Sequence, residues 1–407
     1  MSKLFQICVE GNTGSTGRIA EAIGKTVISK GWESYIAFGR FRRPSNSKTI
    51  QIGSPVSVFF HGLQTRLLDR HGLGSRRATT KLIEQITAIN PDVIHLHHLH
   101  GYYANIVVLF EFLSKCSKPV VWTFHDCWSF TGHCTHFDSV GCEKWKTECN
   151  NCQQLSDYPA SCFIDRSKKN FLLKKELFNS VPDLTVVSVS YWLDRVVGDS
   201  FLKGVKRAVI YNGVNTDLFF PITNAEVVKL KYHVRGKFLI LGVANTWSKR
   251  KGLDDFIELS KRVGEGNSII LVGLSESQIK NLPHNIIGLK RTETLEDLRD
   301  LYAAADVYIN LSVEETFGLT TAEALACGTP AIVYNSTANP ELIDPDTGIL
   351  ADKNDINTVC EGIRTIKLKT KEYYSNACRN RAVKYFNIRN NLAEHVKLYD
   401  ALVHSNC

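Results

Sequence analysis

The stretch Leu4-Phe5-Gln6-Ile7-Cys8-Val9-Glu10-Gly11-Asn12-Thr13-Gly14-Ser15-Thr16-Gly17-Arg18 lies near the start of the chain and sets its architecture. A short apolar run reads as a strand, and a glycine-rich turn ends it. Ile19, Ala22, Ile23 and Val27 then recur at helical spacing. Gly31 closes that helix, and Tyr35 to Phe38 reads as a second strand. Strand, glycine turn, helix, strand is the opening of a doubly wound α/β sheet.

The rhythm continues outward. Ile83 to Ile89 predicts a helix that stops before Pro91, and 93–97, 119–124, 184–189 and 207–210 predict strands. The turn Asn212-Gly213-Val214-Asn215-Thr216-Asp217, ending in Pro221, reads as a linker. The pattern then restarts, with strands over 238–243, 268–272, 307–310 and 330–333 and helices over 253–263, 295–305 and 319–327. Two α/β halves of similar size therefore follow each other. Lys371 to Val403 is helical in period and has no strand partner.

Composition agrees. A length of 407 residues suits two α/β domains, and 43% hydrophobic with 22% charged residues excludes a disordered or fibrous chain. The 49 Lys and Arg against 41 Asp and Glu leave a charge of +8, which favours anionic partners without indicating nucleic acid. No run reaches eighteen apolar residues, so no spanning helix is expected. The first apolar run is too short for a signal peptide, so the expected compartment is the cytoplasm. The twelve cysteines then read as thiols or metal ligands rather than disulfides.

The segment richest in chemistry is Glu314-Glu315-Thr316-Phe317-Gly318-Leu319-Thr320-Thr321-Ala322-Glu323-Ala324-Leu325-Ala326-Cys327-Gly328-Thr329-Pro330. Glu315 falls at a strand-to-helix junction, where open sheets bind ligands. Gly318 would let a ligand approach the backbone, and the helix amino end can receive negative charge. Glu315 and Glu323, eight positions apart, would both face one polyhydroxyl ligand. Spacing alone equally allows an acid at a helix amino end plus a solvent-facing glutamate.

The segment closely resembles the signature of the retaining, nucleotide-sugar-dependent glycosyltransferases that include phosphatidylinositol mannosyltransferase, sucrose synthase and bacterial capsule and lipopolysaccharide transferases. This is glycosyltransferase family 4, group 1. The paired glutamates, the Phe-Gly between them and the Ala-Leu-Ala-Cys-Gly-Thr-Pro ending carry the likeness. The resemblance implies two facing Rossmann-like domains of GT-B architecture, an active site in the interdomain cleft and a final helix crossing back. It sets the domains at 1–213 plus 383–407 on the acceptor side and 214–382 on the donor side. Carried over, Glu315 holds the donor sugar's hydroxyls, Glu323 binds the donor ribose, and Thr316, Phe317, Gly318 and Leu319 lie along the sugar or diphosphate.

Other groups gain meaning from this likeness. The Gly14 to Gly17 turn would cradle a phosphate or border the acceptor, with Arg18 either reaching phosphate or lying on a plain helix surface. Asn245-Thr246-Trp247-Ser248-Lys249-Arg250-Lys251-Gly252 puts three cations directly after a strand, either to neutralise a leaving diphosphate or as a solvated basic turn. Lys251 matches the family's lysine. Asn245 stands where an arginine is usual, and Lys249 or Arg250 would replace it. Arg291, with Leu289 and Lys290, is expected in a loop flanking the donor base. His125 reads alone as a satisfied strand-end histidine; the resemblance places it beside the donor sugar's six-hydroxyl. His95, His97, His98 and His100 invite a metal reading, but no acid sits among them in sequence, so they are expected to line the cleft. Asp344-Pro345-Asp346 reads as a loop.

Cysteines punctuate an insertion over 127–162. Cys149-Asn150-Asn151-Cys152 has zinc-knuckle spacing, and Cys134 and Cys142 would complete four thiolates; disulfides or buried thiols are the alternatives. Trp128, Phe130, Phe137 and Trp145 would give this lobe a core. The stretch Asp126 to Cys134 resembles a subgroup in capsule, colanic acid or exopolysaccharide gene products. Val56, Phe59, Phe60, Leu63, Leu67 and Leu68 form an apolar side at helical spacing, followed by Arg66, Arg70, Arg76, Arg77 and Lys81. That suits either a basic amphipathic face for anionic lipid or, more plainly, a helix packed on the sheet.

The expected reaction moves a hexosyl group, with retention, from a nucleoside-diphosphate sugar to a saccharide acceptor, expected to be lipid-linked, in surface polysaccharide assembly. The protein would be cytoplasmic or peripheral on the inner face of the membrane, and the family requires no metal for transfer. The rival readings are a sugar-nucleotide epimerase of similar shape and a non-catalytic saccharide-binding protein. A nicotinamide dehydrogenase is opposed by the incomplete dinucleotide fingerprint.

Overall fold

The computed structural model describes residues 1–404; the last three residues of the expected 383–407 segment lie outside them. The chain forms two compact units, Met1–Ile210 together with the chain from Leu392 onward, and Tyr211–Asn391.

The first unit holds seven strands: β1 Lys3–Gly11, β2 Glu33–Arg42, β3 Lys48–Gln51, β4 Val93–Leu96, β5 Val120–Phe124, β6 Leu184–Ser188 and β7 Lys206–Val209. They pair in parallel in the order β3-β2-β1-β4-β5-β6-β7. Ile7 lies opposite Leu96, and Trp122 opposite Val186. Helices α1 Gly14–Ser29, α2 Pro55–Leu68, α3 Arg76–Ile89, α4 Ile106–Leu113, α5 Ser167–Asn179 and α6 Tyr191–Asp199 connect them. The central strands are buried along their length, because helices cover both faces of a parallel sheet. That is why they read as mainly apolar runs, with only single polar residues such as His95 and Thr123 among them.

The second unit repeats the plan with β8 Phe238–Val243, β9 Asn267–Val272, β10 Ile286–Leu289, β11 Val307–Asn310, β12 Ala331–Tyr334 and β13 Gly348–Ala351, in the order β10-β9-β8-β11-β12-β13 and again all parallel. Its helices are α7 Ala225–Lys231, α8 Leu253–Arg262, α9 Glu276–Lys280, α10 Leu295–Ala304, α11 Leu319–Ala326 and α12 Ile356–Tyr385, the last kinked at Thr370. A final helix, α13 Ile388–His404, leaves this unit and returns to the first. There Val396, Tyr399 and Leu402 join Leu4, Ile23, Val93 and Val187 in one core cluster. Two Rossmann-like domains with a returning terminal helix make the GT-B architecture.

Three edge strands, β3, β10 and β13, were not expected. Leu289 accordingly ends a strand rather than lying in a loop. Asn387, in the segment expected to lack a strand partner, makes an isolated parallel bridge with Val214.

In each sheet the strand order reverses once, between β1 and β4 and between β8 and β11. Loops leaving the carboxyl ends of strands at such a switch point form the ligand crevice of an open sheet. The chemistry-bearing segments singled out in the sequence leave these same strand ends.

Candidate functional site

In the second unit the two loops at the switch point are laced together. The basic loop after β8 and the acidic loop after β11 share three contacts. The Val313 N–H donates to the Arg250 carbonyl at 3.0 Å, and Arg250 Nη1 donates to the Glu314 carbonyl at 2.8 Å. Lys251 Nζ forms an ion pair with Glu315 Oε1. Their side chains are 23% and 13% exposed, so both remain reachable from solvent. Burial pushes the Glu315 carboxyl up, but Lys251 and then Arg250 pull it down further, and the net shift is below the ordinary carboxylate range. Glu315 is therefore ionised and acceptor-only near neutrality. Its own N–H donates to Thr337 Oγ1 at 2.8 Å, which fixes the backbone beneath it.

Gly318 follows with φ +96°, and a Cβ there would lie 2.7 Å from Leu342 Cδ1. A side chain would be both strained and crowded, so this helix entry needs glycine. Phe317 is buried against Tyr211 and Phe386. Glu323 sits one turn into α11 and accepts from the Tyr302 hydroxyl at 2.9 Å. Thr316 and Leu319 flank this bend, both partly exposed. Asn245 and Lys249 are exposed on the basic loop, and Arg291 is exposed beyond β10, where Lys290 pairs with Glu276. Asp344 binds Arg381 and caps its own turn through Thr347, as a loop acid does.

In the first unit the glycine turn is shaped by packing. A Cβ on Gly17 would lie 2.7 Å from the Glu10 carbonyl, so glycine lets α1 close onto β1. Thr13 Oγ1 donates to Glu10 Oε2 at 2.9 Å, which sets a carboxylate against the turn at Gly14. Arg18 turns back on its own helix, with Nε donating to the Gly14 carbonyl at 2.8 Å. A carboxylate at this turn suits a hydroxyl-bearing ligand better than a phosphate.

The histidines form a connected network. Gln6 Nε2 donates to the Ala20 carbonyl, which leaves its Oε1 to accept from His97 Nε2 at 3.1 Å. His97 Nδ1 is then free of hydrogen and faces His125 Nε2 at 3.4 Å. Burial, then His98 and His97, hold the His125 pKa well below its ordinary value, so its ring is neutral. His95 bridges Thr123 and Tyr399 of α13 at 2.7 Å each. The expectation that no acid accompanies these histidines is corrected by the fold. Asp126 Oδ2 lies 2.6 Å from His100 Nε2 and 3.3 Å from His98 Nε2. These three ligating atoms gather within 4.8 Å. At 2.6 Å, His100 and Asp126 hydrogen-bond directly, and Asp126 Oδ1 caps the Trp128 N–H at 2.9 Å.

The family described as "Glycosyltransferase Family 4" matches residues 17–218, and "Glycosyl transferases group 1" matches residues 237–367. The chain is related to the group 1 and family 4 glycosyltransferases. A protein of Escherichia coli K12 that is named as a colanic acid biosynthesis glycosyl transferase, WcaC, is 27% identical over 301 residues, 72% of this chain and 71% of its own. An Escherichia coli UDP-Gal:alpha-D-GlcNAc-diphosphoundecaprenol alpha-1,3-galactosyltransferase is 29% identical over 207 residues, 47% of this chain and 53% of its own. Among solved structures, sucrose-phosphate synthase of Thermosynechococcus elongatus superposes with a TM-score of 0.74 at 18% identity, covering all of both chains. That last likeness speaks for the fold.

Two features of this glycosyltransferase relative lie outside the strand ends just described. The helix α2 does not pack its apolar side on the sheet, which corrects the plainer reading of that segment. Val56, Phe59 and Phe60 are 63%, 65% and 57% exposed, and Leu63, Leu67 and Leu68 are exposed too. The helix is held instead by its opposite side. His61 Nε2 accepts from the Gly72 and Gly74 N–H groups at 3.1 Å each, and Thr65 is buried. No helix among the described residues is long and apolar enough to cross a membrane. The insertion over 127–162 folds as irregular chain with three short 3-10 turns around Trp128, Phe130, Phe137 and Trp145, all buried. Among the described residues its cysteines form no disulfide.

Sequence reasoning missed Tyr302, Thr337, Gln6 and Glu10. Tyr302, Thr337 and Gln6 act through partners distant in sequence, and Glu10 acts through the fold of the turn that follows it, so no spacing marks them.

Proposed function

We propose that this protein is a retaining hexosyltransferase that uses a nucleoside-diphosphate sugar and a lipid-linked saccharide acceptor in bacterial surface polysaccharide assembly. The observation that carries the reading is the laced pair of loops at the second sheet's switch point. It holds a lysine and an ionised glutamate against each other where a ligand can reach both. Lys251 and Arg250 are suited to a diphosphate, and Glu315 to sugar hydroxyls as an acceptor. Glu323, ordered by Tyr302, is suited to ribose hydroxyls, and Thr316 to Leu319 to the chain between. Lys249 lies beside that diphosphate, Asn245 at the loop's start, and Arg291 near the base.

In the proposed step the bond between the anomeric carbon and the diphosphate oxygen breaks. An acceptor hydroxyl forms the new bond on the same face, and its proton passes to the departing phosphate oxygen. Lys251 stabilises the charge that grows on that oxygen, a contribution of about 10²–10³ in rate for one such group. In the first unit, the neutral ring of His125 is suited to lie against a sugar hydroxyl, and the Gly14 to Gly17 turn with Glu10 is suited to acceptor hydroxyls.

The lipid-linked acceptor is supported by α2, whose exposed apolar side stands beside exposed Arg66, Arg70, Arg76, Arg77 and Lys81. One relative is itself named for a diphosphoundecaprenol substrate. A cytoplasmic protein peripheral to the inner membrane face fits this reading.

The test is a panel of nucleotide sugars scored for thermal protection, followed by transfer assays with the stabilising donor. Glu315→Gln should keep its fold and lose at least about 10²-fold in kcat. Full transfer activity in that variant overturns its assigned role. Release of free sugar with no transfer to any acceptor would favour the epimerase reading.

A further inference from the structure

The insertion after β5 presents a problem of stability. Its residues 127–162 hold no strand and no α-helix, only three single 3-10 turns. Phe130, Phe137 and Trp145 form its core, with Phe137 and Trp145 rings 4.7 Å apart and Phe130 5.6 Å from Trp145. A lobe with so little regular structure has few backbone hydrogen bonds to set against the entropy of ordering it. Small lobes of this kind usually carry a covalent or metal cross-link.

Around one small cavity of about 20 Å³, room for a single water-sized sphere, lie Cys134, Cys142, Cys149 and Cys152. Their sulfurs come from three separate parts of the insertion. Cys134 and Cys152 are joined by a side-chain hydrogen bond, although 18 positions separate them. Cys149 and Cys152 flank a tight turn whose Asn151 has φ 44°. The Gly132 N–H points at Cys149 Sγ at 3.3 Å, the kind of bond that stabilises a thiolate.

Two further observations concern charge. His133 lines the same cavity. Its Nδ1 is bound to the fully buried Asp69 at 2.7 Å, while its Nε2 is buried with no hydrogen-bond partner. The carboxylate fixes the ring through one nitrogen and leaves the other for a partner in the cavity. Lys174 of α5 is 2% exposed and is held by the Trp128 and Thr131 carbonyls at 2.7 and 3.0 Å. Among the described residues no carboxylate lies within ion-pair distance of its ammonium. Its ammonium lies 3.5 Å from the Trp128 ring centroid, and burial pulls its pKa down to about 7, so a nearby anion is what would hold it fully charged.

We propose that Cys134, Cys142, Cys149 and Cys152 bind one structural zinc ion as thiolates. His133 Nε2 serves as a hydrogen-bond donor to a bound sulfur, and Lys174 is a counter-charge to the site. Zinc with four thiolates carries a net double negative charge, which supplies the anion that Lys174 lacks and the acceptor that His133 Nε2 lacks. Zinc fits the donor set because soft thiolates in fours select it over hard cations. The inference goes beyond the proposed transfer reaction, and its test reads metal rather than activity.

Full-length protein purified without chelator should contain about one zinc per chain by elemental analysis. X-ray absorption at the zinc edge should show a single shell of four sulfurs at about 2.3 Å. Cys149→Ser/Cys152→Ser should lose the metal, whereas His100→Ala, which disrupts the His98, His100 and Asp126 cluster, should retain it. Should the cysteine variant fail to fold, mercurial titration of the wild-type protein replaces it, with zinc released in step with four modified thiols. The proposal is overturned by metal-free folded protein whose four thiols react freely, by a shell containing nitrogen, or by zinc that follows His100 instead.

Discussion

At the residue scale the second unit's site is an electrostatic balance. Burial alone would raise the Glu315 pKa, and Lys251 with Arg250 reverse that. Lys251→Met removes the counter-ion while leaving the carboxylate 13% exposed in the same pocket of backbone. The Glu315 carboxyl should then titrate higher, which carbon-detected NMR of labelled glutamate would follow; an unmoved titration would contradict the coupling. Transfer by the same variant should fall by about 10²–10³-fold. Gly17 makes a purely steric prediction. Gly17→Ala drives a Cβ to 2.7 Å from the Glu10 carbonyl, a backbone atom that cannot swing aside. The cost should be about 1–3 kcal/mol, read as a lowered midpoint in denaturant. Glycine at this turn was legible in the sequence, but its reason was not. The residues suggested a phosphate cradle or a border of the acceptor, and neither reading contains the helix-on-strand contact or the Glu10 carboxylate, which only the folded turn brings against Gly17 and Gly14.

At the element scale, strands buried on both faces were easy to read, since each is a mainly apolar run bounded by turn residues. The edge strands β3 and β10 were not, since their mixed burial gives no clean period. Helix α2 shows the opposite limit. Its apolar spacing was plain in the sequence, yet periodicity cannot say what an apolar face meets. The structure leaves Phe59 and Phe60 in solvent and anchors the helix through His61. If that face meets lipid, Phe59→Ser/Phe60→Ser should weaken binding to vesicles containing anionic lipid by on the order of tenfold or more, since burying each ring contributes about 1.5–3 kcal/mol. Flotation with and without salt would read this. Equal recovery of variant and parent protein with the vesicles would rule the face out as a membrane contact. Transfer to a soluble acceptor should be unaffected.

At the scale of the whole molecule the two units share a plan but not a pH response. The buried histidines lie in the first. Burial lowers the His61 pKa from 6.5 to about 4, and burial with His100 does the same for His98. His71, His95, His97 and His125 are also held well below their ordinary value, chiefly by burial. Such groups stay neutral when folded and bind protons when unfolded. Their contribution is therefore complete above pH 6.5 and is lost as pH falls toward the folded values. By pH 5 a histidine shifted from 6.5 to about 4 costs on the order of 2 kcal/mol. His133 works in the other direction. Despite burial, Asp69 raises its pKa, so it adds stability in acid that is lost as pH rises through its folded value. One such group does not offset several of the first kind. Acid should therefore unfold the first unit before the second. Trp32, Trp122, Trp128, Trp145 and Trp192 all lie in the first unit, and Trp247 alone in the second. Tryptophan fluorescence should show a thermal midpoint that drops between pH 7 and pH 5, while hydrogen exchange in β8, β9 and β11 changes less. A midpoint unaltered over that range, or equal loss of protection in both units, would mean that these imidazoles are hydrated and charged in the folded protein.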